Sequence, residues 1–176
     1  PRRPFILKTV VCLHPLSNNS LNGLYYSGDI LLSQCESVGF RRISFFLDRP
    51  DVRSTWTVTI EADEEKNGKA VTLLCNGDQV KSGQVTGKKN RTYATFVDEV
   101  PKPCYLFCVV VGALVAKKSN FVTAVSKKSV ELALYAIPRD KNRLDFSMRC
   151  LRHALRWDET TFGLEYKYKT YRIVAI

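Results

Sequence analysis

The chain has 176 residues, of which 45% are hydrophobic and 25% charged, and its formal net charge at pH 7 is +10. This length fits one domain or two smaller pieces of a larger one, and the composition is that of a protein with a buried core, which excludes a disordered chain. The longest apolar stretch, Tyr105 to Ala116, is interrupted by Gly112 and is too short to span a bilayer, so we expect no membrane partner.

The start of the chain, Pro1-Arg2-Arg3-Pro4, lacks both an initiating Met and the apolar stretch of a secretory signal. We therefore expect a chain that is processed or excised from something longer. The six cysteines form no Cys-x-x-Cys pair, and in a chain with a real core they are interpreted as buried thiols of a reducing compartment. They are Cys12, Cys35, Cys75, Cys104, Cys108 and Cys150.

The first two thirds of the chain have the pattern of β-structure. A hairpin is predicted where the runs Leu24–Ser27 and Ile30–Ser33 flank the turn Gly28-Asp29. A second hairpin is predicted from Val71–Leu74 through a turn at Gly77. Further strands are predicted at Thr55–Glu61, where Trp56, Val58 and Ile60 share one face, and at Thr92–Phe96, Tyr105–Val111, Phe121–Ala124, Val130–Ala136 and Thr170–Ile176.

One long helix is predicted from about Asn142 to Phe162, with Asn142 as its N-cap and Gly163 as its end. Its apolar seam consists of Leu144, Met148, Leu151 and Leu155, which share one face at helical spacing. Beside that seam the same helix carries a basic stripe of Arg149, Arg152 and Arg156.

The excess positive charge lies in the second half of the chain, where residues 89–176 hold 16 Lys and Arg against 8 Asp and Glu. A field of this sign attracts polyanions, of which nucleic acid is the commonest in cells. The alternative is a solvated face that serves solubility. The candidate polyanion contacts are Lys117, Lys118, Lys127, Lys128, Arg149, Arg152, Arg156, Lys167, Lys169 and Arg172.

The residues show no arrangement for hydrolytic chemistry. A zinc site takes three or four His, Cys or carboxylate ligands, and the two histidines, His14 and His153, lie far apart in the sequence without a His-Glu-x-x-His motif. There is also no Gly-x-Ser-x-Gly elbow and no phosphate-binding glycine loop. We expect no catalytic residue and no metal ligand within this chain.

Several runs, in a fixed order and spacing, nevertheless resemble the zinc aminopeptidases of the aminopeptidase N type, and the similarity covers about Leu21 to Ile176. The runs are Gly23-Leu24-Tyr25-Tyr26-Ser27, Ser33-Gln34-Cys35-Glu36, Gly39-Phe40-Arg41-Arg42, Phe46-Leu47-Asp48-Arg49-Pro50-Asp51-Val52, Cys75-Asn76-Gly77-Asp78, Pro101-Lys102-Pro103-Cys104-Tyr105-Leu106-Phe107, Trp157-Asp158-Glu159 and Phe162-Gly163-Leu164-Glu165-Tyr166.

The resemblance implies an α+β chain, mainly β with one long helix. Residues 1–113 are expected to form the later part of an incomplete β saddle or sandwich. Residues 114–176 are expected to form the beginning of a thermolysin-like α+β catalytic domain. By the same resemblance, the carboxylate of Glu36 would hold the free α-amine of a substrate and Gln34 would line the first pocket. A charge-assisted hydrogen bond of this kind cannot form with an N-blocked peptide.

The chain departs from that family in ways that leave two functions open. It ends before the family's substrate loop and zinc motif, and it has Lys167, Lys169 and Arg172 where relatives often carry acidic residues. The first hypothesis is a non-catalytic scaffold subunit of a large assembly, such as a mitochondrial ribosome. Its partners would be proteins that cover open sheet edges, and rRNA, and the basic start would follow a removed targeting peptide.

The alternative is the N-terminal part of an active zinc aminopeptidase, with peptide N-termini as partners, zinc on the remainder of the enzyme, and a cytoplasmic location. A weaker third hypothesis is a free-standing binder of peptide N-termini through Glu36.

Overall fold

The computed structural model describes residues 4–176, and within them it is mainly β with a single α-helix, which confirms the expected fold class. The helix α1 is Leu144–Phe162. The strands are β1 (Gly23–Ser27), β2 (Ile30–Gln34), β3 (Arg53–Asp63), β4 (Glu65–Lys66), β5 (Lys69–Ala70), β6 (Thr72–Cys75), β7 (Asp78–Gln84), β8 (Arg91–Pro103), β9 (Val109–Gly112), β10 (Val115–Val122), β11 (Ser129–Ala136) and β12 (Thr170–Val174).

The arginines of the basic start, on which the targeting hypothesis depends, lie outside the described residues. From residue 4 onward, no helix is both long and apolar enough to cross a membrane. The contacts divide the chain into two compact units. The first consists of the described residues up to Glu64 together with Thr72–Gly112, and the second of Glu65–Val71 with Ala113–Ile176. The division into a saddle at 1–113 and the start of a catalytic domain at 114–176 stays a prediction.

In the first unit, one sheet has the strand order β1-β2-β9-β6. Its first two strands form the predicted hairpin, with Ser27 opposite Ile30 and Gly28 at a positive φ of 56° in the turn. Ile30 and Leu32 on β2 are buried. Ser33 is buried as well, so residues of both faces of β2 are covered near the end of the strand.

The first unit also contains a second sheet, of order β3-β8-β7. Along β3 the exposed and half-buried residues alternate without a break, and Trp56, Val58 and Ile60 are on the half-buried side, as predicted. Phe96 of β8, which pairs with Val58, is buried against this side. The period-two pattern therefore identified both the strand and its inner face.

Two sequence predictions in this unit are wrong. The strands on either side of Gly77 do not form a hairpin, because β6 pairs with β9 in the first sheet whereas β7 pairs with β8 in the second. At Gly77, with a φ of 81°, a Cβ atom would lie 2.3 Å from the carbonyl oxygen of Val97, so the chain crosses between sheets where only glycine fits. Tyr105–Val111 is not one strand either. A short 3-10 helix at Cys104–Leu106 precedes β9.

In the second unit, α1 packs on the sheet of order β10-β11-β12. The predicted seam Leu144, Met148, Leu151 and Leu155 is buried against Phe121, Val130, Leu132, Leu134 and Ala136. Gly163 ends the helix in the left-handed conformation, with a φ of 65°, as predicted.

The predicted N-cap of the helix is wrong. Asn142 lies inside a 3-10 helix, Pro138–Arg143, that leads directly into α1, and no side chain caps the α-helix. Pro138 starts that 3-10 helix, because proline fixes φ and needs no hydrogen-bond acceptor for a backbone N–H there. The helical conformation therefore begins four residues before Asn142.

Candidate functional site

Gln34 and Glu36 are exposed at the end of β2 and in the turn that follows it. Ser33 and Cys35 are buried, whereas Gln34 and Glu36 are exposed. Two buried residues therefore alternate with two exposed polar side chains where β2 ends and the turn begins. The Ser33 hydroxyl donates to the Phe107 carbonyl (3.2 Å) and accepts from the Val109 N–H (2.9 Å), which fixes the end of β2 to the segment that leads into β9.

Glu36 lies in a tight turn that follows β2. The Gly39 N–H donates to the Cys35 carbonyl (2.8 Å) and closes the turn, and the peptide bond between Glu36 and Ser37 is cis. Within residues 4–176 neither the Glu36 carboxylate nor the Gln34 amide makes a side-chain hydrogen bond or an ion pair. Both groups are therefore available to a ligand.

Gly39 packs directly against the backbone of this turn. A Cβ atom on Gly39 would lie 2.3 Å from the Asn22 side-chain oxygen, 2.7 Å from the Cys35 Cα and 2.9 Å from the Gln34 carbonyl oxygen. These distances are far below van der Waals contact, so any side chain at position 39 would displace the backbone that carries Gln34 and Glu36.

Both ends of the turn are embedded in one small core. Cys35, of which 2% is exposed, lies with Phe40 and Cys104 in a cluster that also includes Ile43 and Trp56. The Phe40 ring makes edge-to-face contacts, with ring centroids 5.1 to 5.5 Å apart. Such pairs contribute about 0.5–1.5 kcal/mol each beyond their buried area. The aromatic partners of Phe40 are Phe46, Trp56 and Phe107.

A buried carboxylate, Asp48, completes this core. Its Oδ2 atom accepts from the backbone N–H (3.1 Å) and the Nε (2.9 Å) of Arg41, and its backbone carbonyl accepts from the Arg41 Nη2 (3.1 Å). Its Oδ1 atom accepts from the Cys104 thiol (3.2 Å). Both carboxylate oxygens thus have partners, as a buried charge requires.

The pKa of the Asp48 carboxyl and the pKa values of the two thiols in this core are shifted in opposite directions. Burial alone would raise the pKa of Asp48, but the hydrogen bonds from Arg41 and Cys104 lower it below its usual value. Burial, with the nearby Asp48 charge, raises the pKa of the Cys35 thiol to about 12. Burial and the hydrogen bond to Asp48 raise that of Cys104 to about 11. Near neutral pH the cluster therefore holds one charged carboxylate and two neutral thiols.

The cysteines divide into two classes. Cys35, Cys75 and Cys104 are buried free thiols, whereas Cys12, Cys108 and Cys150 are exposed. The prediction of buried thiols is thus wrong for half of them. Cys108 lies between the 3-10 helix and β9, and its N–H donates to Asn76 Oδ1 (2.6 Å). The strand-like alternation assumed from Cys104 to Cys108 therefore does not apply.

In the second unit, the basic stripe of α1 interacts with the edge strand β10. Arg152 donates to the Asn120 carbonyl (2.5 Å) and to the Ser119 hydroxyl (3.1 Å). Arg156 donates to the Val122 carbonyl (3.0 Å) and to Glu159 (2.5 Å), with its guanidinium 4.8 Å from the Phe121 ring centroid.

Glu159 in turn accepts from the Ala124 N–H (3.1 Å), two residues beyond the end of β10. Side chains of α1 thus bond backbone groups at positions 120, 122 and 124. Arg149 has a different environment, since its guanidinium lies 5.8 Å from the Phe146 ring centroid.

Most of the predicted lysine contacts also have partners within their own unit. Lys117 pairs with Asp145, and Lys118 with Glu131 (3.3 Å). Lys127 donates to the Ala124 carbonyl (2.6 Å). Glu165 accepts from the Ser126 and Val125 N–H groups. A hydrogen bond from the Ser126 side chain lowers the pKa of Glu165, the two backbone bonds and the Lys128 charge add to this, and burial opposes the shift. Lys169 and Arg172 also have interactions, and Lys167 precedes them on the way to β12.

No group of three or more His, Cys, Asp or Glu side chains among residues 4–176 is arranged to hold a metal ion. His14 lies in the first unit and His153 on α1 in the second. The described residues therefore do not fit a zinc site. An open groove along α1 is lined by Arg149, Cys150, His153, Ala154 and Trp157. All five belong to that one helix, so no second element supplies converging groups.

Sequence reasoning gave Gln34 and Glu36 as candidates but did not indicate the residues that pack around their turn, which are Gly39, Arg41, Asp48 and Cys104. All four occur in runs that carry the family resemblance. Asp48 had one available signal, since it directly follows the apolar run Phe45-Phe46-Leu47. Its partner Cys104 is 56 positions away, and no sequence spacing indicates that contact.

Comparisons with known proteins agree with this geometry. The sequence profile of the Peptidase M1 N-terminal domain matches residues 11–106. Aminopeptidase N of Caulobacter vibrioides is 42% identical over 172 residues, and aminopeptidase N of Escherichia coli K12 is 41% identical over the same length. The crystal structure of Legionella pneumophila aminopeptidase A in complex with aspartic acid superposes with a TM-score of 0.83 at 32% identity.

The coverage of these matches is unequal. The two aminopeptidase N alignments include 98% of this chain but only 19% of each relative. The Legionella match includes 90% of this chain and 18% of that protein. The chain therefore spans about a fifth of the length of the relatives it matches, and that fifth contains the turn with Gln34 and Glu36.

Proposed function

The chain belongs to the M1 peptidase family, and on this premise we propose that it is the substrate-anchoring part of an aminopeptidase. In this role the Glu36 carboxylate binds the free α-amine of a peptide, and Gln34 lines the pocket for the first side chain. The whole protein would remove N-terminal residues from peptides. Zinc, if the whole protein uses it, must be held by residues outside those described, and no step of the hydrolysis is assigned to this chain.

The observation that supports this proposal is the contrast within three consecutive residues. Cys35 is buried in a packed cluster, whereas Gln34 and Glu36 on either side of it are exposed and have no side-chain partner among the described residues. A carboxylate held rigidly and left unpaired is suited to an ammonium group, because hydrogen bonds between two charged groups are about twice as strong as neutral ones. Selectivity for free over blocked N-termini follows from this contact.

The test is Glu36→Gln in the native polypeptide that carries this chain, assayed with L-alanine 4-nitroanilide. Losing a hydrogen bond to a charged group costs about 1.5–3 kcal/mol, so we expect kcat/KM to fall by about 10- to 100-fold. The matched control is Glu99→Gln, which neutralises another exposed glutamate on β8. Equal rates for wild type and Glu36→Gln would remove Glu36 from the mechanism and overturn the proposal.

The scaffold hypothesis has less support. The relatives are named as aminopeptidases, and Arg152 and Arg156, which motivated RNA binding, are bonded to the edge of β10. Sedimentation of the native protein with and without ribonuclease tests the difference. We expect no effect of ribonuclease, whereas release of the protein from a large particle would favour the scaffold.

A further inference from the structure

We infer that Asp48, acting through Arg41 and Cys104, is a positioning residue that fixes the Glu36 carboxylate for amine binding. This inference rests on the proposed function of Glu36. Asp48 itself does not touch the substrate in this account; it determines where the turn is held.

The turn that carries Glu36 is fixed at both of its ends. Cys35 precedes Glu36 and Phe40 follows the turn, and both are in the same buried cluster. Only Glu36, Ser37 and Val38 between them are exposed. A movement of the Glu36 backbone therefore requires a movement of Cys35 or Phe40 within a packed core, which close packing resists.

Asp48 also holds the segment that follows the turn. Arg41 directly follows Phe40, and three of its N–H groups donate to Asp48, two to the Oδ2 atom and one to the backbone carbonyl. The backbone N–H of Arg41 is one of these donors, so Asp48 fixes the main chain at position 41 as well as the side chain. The segment 41–48 is thereby closed into a loop whose two ends cannot separate.

Contacts through Cys104 and β9 connect this loop back to β2. The other carboxylate oxygen of Asp48 accepts from the Cys104 thiol, and Cys104 lies in the 3-10 helix between β8 and β9. β9 pairs with β2 at Leu32, two residues before Gln34. The turn is thus linked to β2 in two ways. It follows β2 directly in the chain, and it is connected to β2 again through Asp48, Cys104 and β9.

Stability alone does not account for a carboxylate at the buried position 48. Burying a charged group carries a large desolvation cost, and well-packed apolar residues often stabilise a core at least as well as a buried ion pair. The carboxylate also fixes Arg41 relative to Cys104, because its Oδ2 atom accepts from Arg41 and its Oδ1 atom accepts from Cys104.

The experiment is a double-mutant cycle of Glu36→Gln and Asp48→Asn in the native polypeptide, with L-alanine 4-nitroanilide as the probe. Asparagine keeps the size of the side chain and one acceptor but loses the charge. Since misplacement of a binding group by about 1 Å can cost up to about 100-fold, we expect Asp48→Asn to reduce kcat/KM by about tenfold, mainly through KM. We expect no further reduction when Asp48→Asn is added to Glu36→Gln, because its effect passes through Glu36.

Two controls separate positioning from general destabilisation. Phe96→Leu alters a buried residue of β8, outside the segment 35–48, and should lower the melting temperature without changing KM. Cys104→Ser retains a donor to Asp48 and should keep KM closer to wild type than Cys104→Ala does, which also provides a test if Asp48→Asn does not fold.

The outcomes distinguish the two proposals. If Glu36→Gln leaves kcat/KM unchanged, the proposed function fails and this inference fails with it. If Glu36→Gln is impaired but Asp48→Asn has a wild-type KM, or reduces kcat/KM by the same factor with and without Glu36, only the positioning role is overturned.

Discussion

The turn at Glu36 and the basic stripe of α1 are two charged features of one chain, and they differ in what their charges contact. Within the described residues the Glu36 carboxylate has no partner, because the core holds its neighbours and leaves it outside. Arg152 and Arg156 reach backbone carbonyls of β10, and Arg156 also pairs with Glu159. The two arginines are thus already bonded to nearby backbone groups, whereas the Glu36 carboxylate is left unpaired in the described part of the chain.

The largest change in the free energy of unfolding is expected when the Arg156 charge is removed. Glu159 has only 2% of its side chain exposed, and Arg156→Met would leave its carboxylate with the Ala124 N–H alone. We expect a loss of about 2–3 kcal/mol in the free energy of unfolding, toward the low end for a broken buried pair because Arg156 is itself 45% exposed.

Urea unfolding of the 176-residue chain measures this effect, and Arg149→Met on the same helix is the matched control. Glu36→Gln belongs in the same series, since it should change the free energy of unfolding by less than about 0.5 kcal/mol. If Glu36→Gln destabilised the chain as much as Arg156→Met, the contrast between the two features would be wrong.

A second prediction concerns the rigidity of the turn. Gly39→Ala places a methyl group against the Cys35 and Gln34 backbone and should cost about 2 kcal/mol, as other forced insertions into packed sites do. The same variant should raise KM for free-amine substrates, since the displaced backbone carries Glu36. Denaturant unfolding together with steady-state kinetics checks both effects. A stable Gly39→Ala variant with an unchanged KM would show that the turn tolerates movement.

A third prediction concerns the dependence of stability on alkaline pH, with the effect counted per thiol. The pKa values of Cys35 and Cys104 are raised from 9.0 to about 12 and about 11, so the fold favours the neutral thiols. Their contribution is fully present below pH 9 and is lost as pH rises through the folded values, because the unfolded thiols ionise first. At pH 10 this amounts to about 1 kcal/mol per thiol.

Urea unfolding at pH 8 and at pH 10 measures this loss, and Cys104→Ser should reduce it. A loss of the same size in that variant would assign the alkaline sensitivity to other groups.

The sequence was sufficient where the pattern is local. Alternation identified β3 and its inner face, and helical spacing identified the seam of α1. The family runs gave Gln34 and Glu36 as candidates, and their role stays a prediction. The sequence was insufficient where the partner is distant. The position of Arg152 and Arg156 beside the seam was predictable, but β10 lies more than 30 positions earlier, and nothing in the spacing indicates that its edge accepts their hydrogen bonds.

The same limit explains the missed support of the site and the wrong hairpin. Asp48 is buried because Arg41 and Cys104 converge on it, and the contact with Cys104 depends on how the segment between β8 and β9 folds. Gly77 is a turn residue by local criteria, but its close approach to Val97 sends the chain into another sheet. Long-range packing decided both cases.

Side chains of α1 can follow the edge of β10 because about one turn of a helix and two residues of a strand advance by similar distances. Four residues of an α-helix advance about 6.0 Å along its axis, and two residues of an antiparallel strand advance about 6.8 Å. Consecutive turns of α1 therefore face consecutive outward groups of β10, as Arg152 with Asn120 and Arg156 with Val122 do. The difference of about 0.8 Å per step accumulates, so long and flexible side chains are the ones that can maintain the match over several turns.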